Sequence, residues 1–516
     1  MPAASHIEIN DQFKKALDIM ENSEKNVFVT GKAGTGKSTL LQYFRQTTKK
    51  KIIVLAPTGV AALNIKGETI HSFFRFKPDI TLKKVKKFSK KRPGSSIYKN
   101  IDSIVIDEIS MVRSDLLDCV DKFLRLNGPD SSRPFGGIQM IFIGDLYQLP
   151  PVVTSREDAV FKGHYKSQYF FDSKIFAELP IEFVELEKIY RQTDKDFICL
   201  LNSIRNNTVT DAQIAELNER TGSRNKEDDG YSICLTTTNK MAQEINQREL
   251  ERLKGDEIVF EPEIDGDVDP KQMPTGPELR LKPGAQIMLL NNDRSGRWVN
   301  GTIGRVVSFG RETIAVELES GSVEEVGQNT WDIFHFSVDD KKGQIRSEIV
   351  GEFTQFPLKL AWAVTIHKSQ GLTFDRVRID IGRGTFAHGQ LYVALSRCRS
   401  LQGISLERPV KKSHVLLDWR VRDFVTRFQY KISEEQMPLD VKITEISKAI
   451  DAGSWLEIVY LKRQDEKSSR RIKPLQVGQM RYKDVDYIGV QALCGLRMEE
   501  RVFRVDRILD LRPAQT

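Results

Sequence analysis

Gly31, Gly36, Lys37 and Ser38 stand in the spacing Gly-x4-Gly-Lys-Ser, inside the stretch GKAGTGKST that runs from Gly31 to Thr39. Those residue types in that order hold phosphate. Glycines let the backbone wrap closely round phosphate oxygens. A helix start just behind them offers free N–H groups and a positive dipole end. The lysine reaches the β- and γ-phosphates, and the hydroxyl of Ser38 suits Mg²⁺. The expected ligand is ATP with Mg²⁺, cradled by Gly34, Thr35, Gly36, Lys37, Ser38 and Thr39.

Four further sites could turn that cradle into a hydrolase. The run IVIDE ends in Asp107 and Glu108. Asp107 suits Mg²⁺ coordination, and Glu108 suits orienting a water that attacks the γ-phosphate. Gln148 in GDLYQLPPV is an amide able to distinguish ATP from ADP. Arg191 in EKIYRQ and Arg397 in GQLYVALSRC offer planar guanidinium groups for the charge that builds on a transferring γ-phosphoryl group. Such an arginine raises the rate by roughly 10³–10⁵. Taken singly, each has a plain alternative: a surface acid pair, a loop glutamine, two salt-bridged arginines. Both arginines lie far along the chain from the phosphate loop. If they reach the nucleotide, it sits in a cleft between two lobes that closes on binding and opens on hydrolysis.

The elements that must position these residues alternate between strand and helix. NVFVT before the loop reads as a strand and STLLQYFRQ after it as a helix. KIIVLAP, IDSIVIDE and MIFIGD are further buried strands, so the chain is α/β with a parallel sheet. The first lobe is placed at 1–180 and the second at 181–430. A texture of short β-like runs between Gly-rich turns marks a β insertion near 293–356, with Trp298 and Trp331 read as its core. A linker is placed at 431–441 and a last, β-rich segment at 442–516. Lys83, Lys84, Lys86, Lys87, Lys90, Lys91 and Arg92 form a block with no acid among them. They are either a solvated loop or a small phosphate-facing insertion.

A chain of 516 residues and 40% hydrophobic content has room for several domains. It carries no apolar run able to span a bilayer, and MPAASHIEIND lacks a signal peptide's apolar stretch, so a cytoplasmic, nucleoid-associated protein with no membrane partner is expected. Five scattered cysteines show no metal-type spacing and read as reduced core residues, with no zinc. The net charge of +7 mildly favours a polyanionic partner.

In this order the pieces resemble a superfamily-one helicase, and more closely the Pif (petite integration frequency) DNA helicase family. The residues that carry the resemblance are GKAGTGKST, APTGVAALNIKGETIHSFF, IDEISMV, FIGDLYQLPPV, IYRQ, LKPGAQIMLLNND, WVNGTIGRV, AWAVTIHKSQGLTF and GQLYVALSRC, spread over residues 8 to 430. The resemblance implies two RecA-like P-loop lobes, an SH3-like character for the insertion in the second lobe, and a short wedge near 63–76. It implies ATP- and Mg²⁺-dependent movement on single-stranded DNA, with 5′-to-3′ unwinding of forked or structured DNA, by a monomer. IEINDQFKKALDIM resembles the family's adenine-reading segment, which points to Gln12. For DNA it implies Thr58, Gly59, His71 and Phe74 on the first lobe and Thr365, His367 and Lys368 on the second, with Gly371 near the nucleotide. Phe74 stays open between a stacking aromatic and a core one.

The C-terminal segment resembles a WYL domain, a small SH3/Sm-like β module, through RRIKPL and RVFRVDRI. Tyr487, Ile488 and Gly489 stand where Trp-Tyr-Leu is expected. Arg470, Arg471, Arg497, Arg501, Arg504 and Arg507 suit single-stranded nucleic acid or another anionic ligand, or form a solvent face. Two other functions fit part of the pattern: a RecD-like motor subunit of a larger complex, and a nucleotide-gated DNA-binding regulator.

Overall fold

The computed structural model describes residues 9–514 except 78–79, 89–96, 154–162, 223–230, 267, 269–272, 277, 294, 340–343, 463, 483–484 and 497. Two compact units result: Met1–Asn202 with Thr210–Leu416, and Ser203–Val209 with Leu417–Thr516. Among the described residues no helix is long and apolar enough to cross a membrane.

The first unit opens with a parallel six-stranded sheet. Its strands are β1 (Asn26–Gly31), β2 (Ile52–Ala56), β3 (Glu68–Thr69), β4 (Ser103–Ile106), β5 (Gln139–Ile143) and β6 (Ile181–Leu186), in the order β3-β2-β4-β5-β1-β6. The central strands are nearly continuous apolar runs because helices cover both faces of a parallel sheet. α1 (Asp11–Asn22) and α2 (Lys37–Thr47) bury Phe13, Met20, Leu40 and Phe44 against Val27, Val29, Val105 and Ile141. The Asn10 side chain caps α1, its Oδ1 accepting from the Phe13 N–H at 2.9 Å. Because the strands are parallel, Gly31, Asp107 and Asp145 all lie at the sheet's C-terminal edge, where ligands of open α/β sheets bind.

One expectation changes here. Ile181–Leu186 belongs to the first sheet, not the second lobe: it pairs with β1 from Asn26↔Ile181 to Gly31↔Leu186. Its half-buried pattern is that of an edge strand, which sequence texture does not assign to either lobe. Residues 63–76 are set into the first lobe. Glu68–Thr69 is the opposite edge strand, and Phe73, Phe74 and Phe76 pack with Tyr98 and Phe123, with Phe74–Phe123 and Tyr98–Phe123 centroids at 5.3 and 4.8 Å. Lys83, Lys84, Lys86 and Lys87 are exposed. Their segment is tied to the helix Ser114–Asn127 by the Lys122 ammonium donating to the Leu82 carbonyl at 2.7 Å. Lys90, Lys91 and Arg92 lie outside the described residues.

The second lobe holds a parallel sheet in the order Ala363–Thr365, Ile233–Thr236, Val377–Asp380, Ile404–Leu406. The β insertion is wider than 293–356. Gln286–Leu289 and Leu358–Leu360 pair with each other and complete an antiparallel sheet with Ile303–Phe309, Thr313–Leu318 and Val323–Gly327. Glu263–Gly266, Asn329–Asp339 and Gln344–Gln355 form a second, three-stranded sheet. Trp298 is core, its indole N–H donating to Asn291 Oδ1 at 3.0 Å, whereas Trp331 is half-buried.

In the second unit helices Trp419–Gln436 and Leu439–Asp451 precede an antiparallel five-stranded sheet built from Leu456–Leu461, Lys467–Tyr482, Val485–Cys494, Glu499–Arg504 and Ile508–Pro513. The expected linker at 431–441 is not a linker. Only Met437 and Pro438 separate the helices, and the turn is pinned: Lys442 donates to Ser433 Oγ at 2.7 Å, and Ser433 donates to the Ile508 carbonyl at 3.0 Å. Polar composition suggested flexibility, but these side chains face a buried seam.

Phe123 is the hub of the first lobe's aromatic cluster and is 1% exposed. Phe123→Ala should destabilise that unit by about 3–5 kcal/mol, as large-to-small core changes do, seen as a lower urea midpoint for the first transition.

Candidate active site

The phosphate loop leaves β1 at Gly31 and enters α2 at Lys37. Gly34 and Gly36 take φ of 81° and 89°, in the left-handed region that favours glycine. Gly34 has a second reason to be bare: a Cβ there would lie 2.5 Å from the Arg191 Cβ. The Lys37 ammonium donates to the carbonyls of Gly31 (2.6 Å) and Lys32 (3.0 Å). Burial pushes its pKa down, while Asp145, Glu108 and Asp107 pull it back up.

Asp107 and Glu108 follow β4. Asp107 is 9% exposed, and Glu108 turns through φ 50°. Burial raises the pKa of both. The Glu108 charge raises Asp107 further, while Lys37 and Arg397 draw Glu108 down. Gln148 is buried, its Nε2 donating to Asp145 Oδ2 at 3.3 Å. Gln370 Nε2, from the second lobe, reaches Gln148 Oε1 at 3.5 Å.

The segment after β6 and the second lobe close round the loop. The Tyr190 N–H donates to the Gly34 carbonyl at 2.8 Å, and the Ala33 N–H donates to the Tyr392 hydroxyl at 3.0 Å. Arg191 Nη1 donates to the Ser396 carbonyl at 3.2 Å. Arg397 is 1% exposed, with Nε donating to the Val393 carbonyl at 3.0 Å and Nη2 to Ser396 Oγ at 3.0 Å. Burial and the neighbouring Arg191 push Arg397 down to about 9, against the pull of Tyr392, Glu108 and Asp145, so the guanidinium stays charged at neutral pH. Next to these contacts, His388 Nε2 hydrogen-bonds the Leu146 carbonyl at 2.9 Å. Gly389 approaches so closely that a Cβ would lie 2.3 Å from the Tyr147 carbonyl oxygen.

One cavity of about 900 Å³ unites these groups, lined by Gly34 to Thr39, Glu108, Gln148, Arg191, Gly371 and Arg397. Asp107, which is buried, is not among the residues that line it. Sequence reasoning missed Phe13, Tyr190, Thr193, Thr373 and Arg399, which also line it. Gln12 does not line it. Its side chain exchanges hydrogen bonds with Glu187, Nε2 donating to Oε2 and Oε1 accepting from the backbone N–H, both at 3.2 Å. One residue on a helix is about 100° of rotation, and that turn brings Phe13 to the cavity instead. Phe13 and Tyr190 flank Gly36, at 3.7 and 3.9 Å from where its Cβ would be. The signal for Tyr190 was present, one residue before Arg191.

The DNA candidates lie in two groups. Thr58 Oγ1 accepts from the Ala61 N–H at 3.3 Å and so starts the short helix Gly59–Asn64 at the end of β2. Thr365 Oγ1 accepts from the Lys368 N–H at 3.3 Å, Lys368 is exposed, and burial pushes the half-buried His367 below its usual pKa. His71 is half-buried. Phe74 is 1% exposed inside the aromatic cluster, so it has no free face for a base and is a core residue.

Comparisons with known proteins identify the family. The PIF1-like helicase family model matches residues 8–215, and the WYL domain model matches residues 442–513. The ATP-dependent DNA helicase Pif1 of Bdellovibrio bacteriovorus is 34% identical over 435 residues, covering 82% of this chain and 93% of that protein. The chain belongs to the PIF1-like helicase family. Among solved structures, Bacteroides sp Pif1 in complex with ADP-AlF4 superposes with a TM-score of 0.75 at 36% identity, covering 82% of this chain and 98% of that one. Bacteroides Pif1 bound to single-stranded DNA gives 0.60 at 36% identity, with 81% and 96% covered. The parallel α/β core and the C-terminal β-rich WYL domain therefore match the fold expected from sequence.

Glu108→Gln keeps the shape of the site but removes the carboxylate. ATP binding should persist while turnover falls at least 100-fold, measured by equilibrium nucleotide binding beside steady-state hydrolysis. Arg397→Lys should cost about 10³-fold in turnover, because an ammonium cannot reproduce the guanidinium's fork.

Proposed function

We propose that this chain is an ATP-dependent DNA helicase that moves along single-stranded DNA and unwinds forked or structured duplexes in the 5′-to-3′ direction. The observation that carries the reading is the single cavity in which Lys37, Glu108 and Gln148 of one lobe meet Arg397 of the other, with Arg191 between them. Hydrolysis there would have a mechanical consequence in this reading, because the groups round the cavity come from both lobes. The glycine cradle, too tight at Gly34 for any side chain, fits a nucleotide's phosphates. Lys37 and the N–H groups of Gly34 to Thr39 would hold them, and Ser38 with Asp107 would hold Mg²⁺, which supplies positive charge at the developing phosphate charge. In this reading Glu108 orients water and accepts its proton, Gln148 reads the γ-phosphate, and Arg191 and Arg397 stabilise the charge that leaves.

Thr58, Gly59 and His71 on one lobe and Thr365, His367 and Lys368 on the other are the proposed strand contacts. Gly371 lies at the nucleotide cavity beside them. The chain is read as a monomer. The WYL domain is read as modulating DNA binding or coupling. Its Arg504 stacks over the Tyr487 ring at 5.1 Å while pairing with Asp506 at 2.6 Å, so this basic face is already partly neutralised. Arg497 lies outside the described residues.

The test is hydrolysis with and without single-stranded DNA, together with unwinding of duplexes bearing only a 5′ or only a 3′ tail. Strong stimulation and unwinding of the 5′-tailed duplex alone are expected. A folded chain with Mg²⁺ present but no stimulation would sink the motor and favour a nucleotide-gated regulator. Unwinding from the 3′ tail would reverse the direction.

A further inference from the structure

A separate cavity, of about 410 Å³, includes Lys368 of the proposed strand contacts in its lining. It takes Asn64 from the first lobe, Asn300 and Trp331 from the β insertion, and Lys359, Lys368 and Gln370 from the strands and loop that return to the second lobe. The side-chain amide of Asn300 donates to Asn64 Oδ1 at 3.2 Å across its mouth. Two ammonium groups face it and no carboxylate is among its lining residues. Lys359 is held here by register: it pairs with Met288 on a strand whose neighbours Leu358 and Leu360 pack with the insertion's core. Among the described residues no ion pair or hydrogen bond takes the Lys359 or the Lys368 ammonium.

A half-buried ammonium beside a second cation, with no acid to offset either, is a costly arrangement that an anion would relieve. Burial and Lys368 together push Lys359 down to about 8, and no carboxylate opposes them. This holds although Lys359 also borders a neighbouring cavity that carries Glu244, Glu251 and Glu278. The remaining walls identify the anion. Trp331 offers part of an indole face, and Asn64, Asn300 and Gln370 offer amides suited to base edges or sugar. A cation, an aromatic plane and amides in a space the size of one nucleotide are the parts of a single-strand binding subsite.

We propose that Lys359 and Trp331, with Lys368, form a subsite for one nucleotide of single-stranded DNA, Lys359 taking the phosphodiester and Trp331 the base. It rests on the helicase reading and adds two contacts that the family resemblance did not supply. Gln370 lies in this subsite and also touches Gln148 in the nucleotide cavity, so the two sites share a neighbour.

The test uses the full chain and fluorescent oligo-dT, titrated over a range of NaCl concentrations. Lys359→Met removes the charge and keeps the buried stem, and Lys359→Arg restores a charge. Lys359→Met should weaken binding and reduce the salt slope by about one. Lys359→Arg should recover the slope. Trp331→Ala should weaken binding about 5- to 150-fold with the slope unchanged. Unfolding midpoints control for folding. A folded Lys359→Met chain that binds with the wild-type affinity and slope overturns the subsite while leaving the helicase reading intact. Failure of the wild-type chain itself to bind oligo-dT overturns both.

Discussion

The approach of Arg191 to Gly34 is the constraint from which the rest of the site follows. The Arg191 Cβ occupies the volume that any side chain at position 34 would need. The phosphate loop must therefore be bare on the side facing IYRQ, as well as on the side facing phosphate. Its backbone is then gripped from outside, by the Tyr190 N–H on the Gly34 carbonyl and by the Tyr392 hydroxyl on the Ala33 N–H. A loop held at both its carbonyl and its amide groups feels any shift of the segments that hold it.

The same packing concentrates charge where water is scarce. Lys37, Asp107, Glu108, Asp145, Arg191 and Arg397 lie within reach of one another, and burial moves Lys37, Asp107, Glu108, Arg191 and Arg397 toward their neutral forms. Mutual attraction opposes that drift. Fixed charges in such a medium act more strongly than they would in water, which is useful where negative charge must be rearranged on a phosphoryl group.

Much of this was legible in the chain. The phosphate loop was legible because its chemistry restricts residue type and spacing tightly; the acid pair and the two arginines were named by their place after it, and the structure brings Glu108, Arg191 and Arg397 to the same cavity. Elements whose identity depends on long-range pairing were harder. Ile181–Leu186 reads as a strand, but only its register against Asn26–Gly31 assigns it to the first sheet. The insertion was placed too narrowly because Gln286–Leu289 and Leu358–Leu360 are distant in sequence and adjacent in space. Gln12 was named through the family resemblance, and Phe13, its neighbour on the helix, was not considered, because a motif names a segment and not the direction in which each helix residue points. The Ser433–Lys442 seam looked like a linker because polar residues that satisfy one another in the interior have the composition of polar residues that face water.

His388 and Gly389 press against Leu146 and Tyr147 with no side chain between the backbones at Gly389. This spot is one of several places where the lobes touch, beside the Gln370–Gln148 and Ala33–Tyr392 contacts, and the one where backbone meets backbone with no room for a side chain. If the spot persists through a cycle of hydrolysis, it acts as a fulcrum. The arc swept by any part of the second lobe then grows with its distance from Leu146. A change in fit at the phosphates would then be felt beyond the cleft as a rotation of the second lobe.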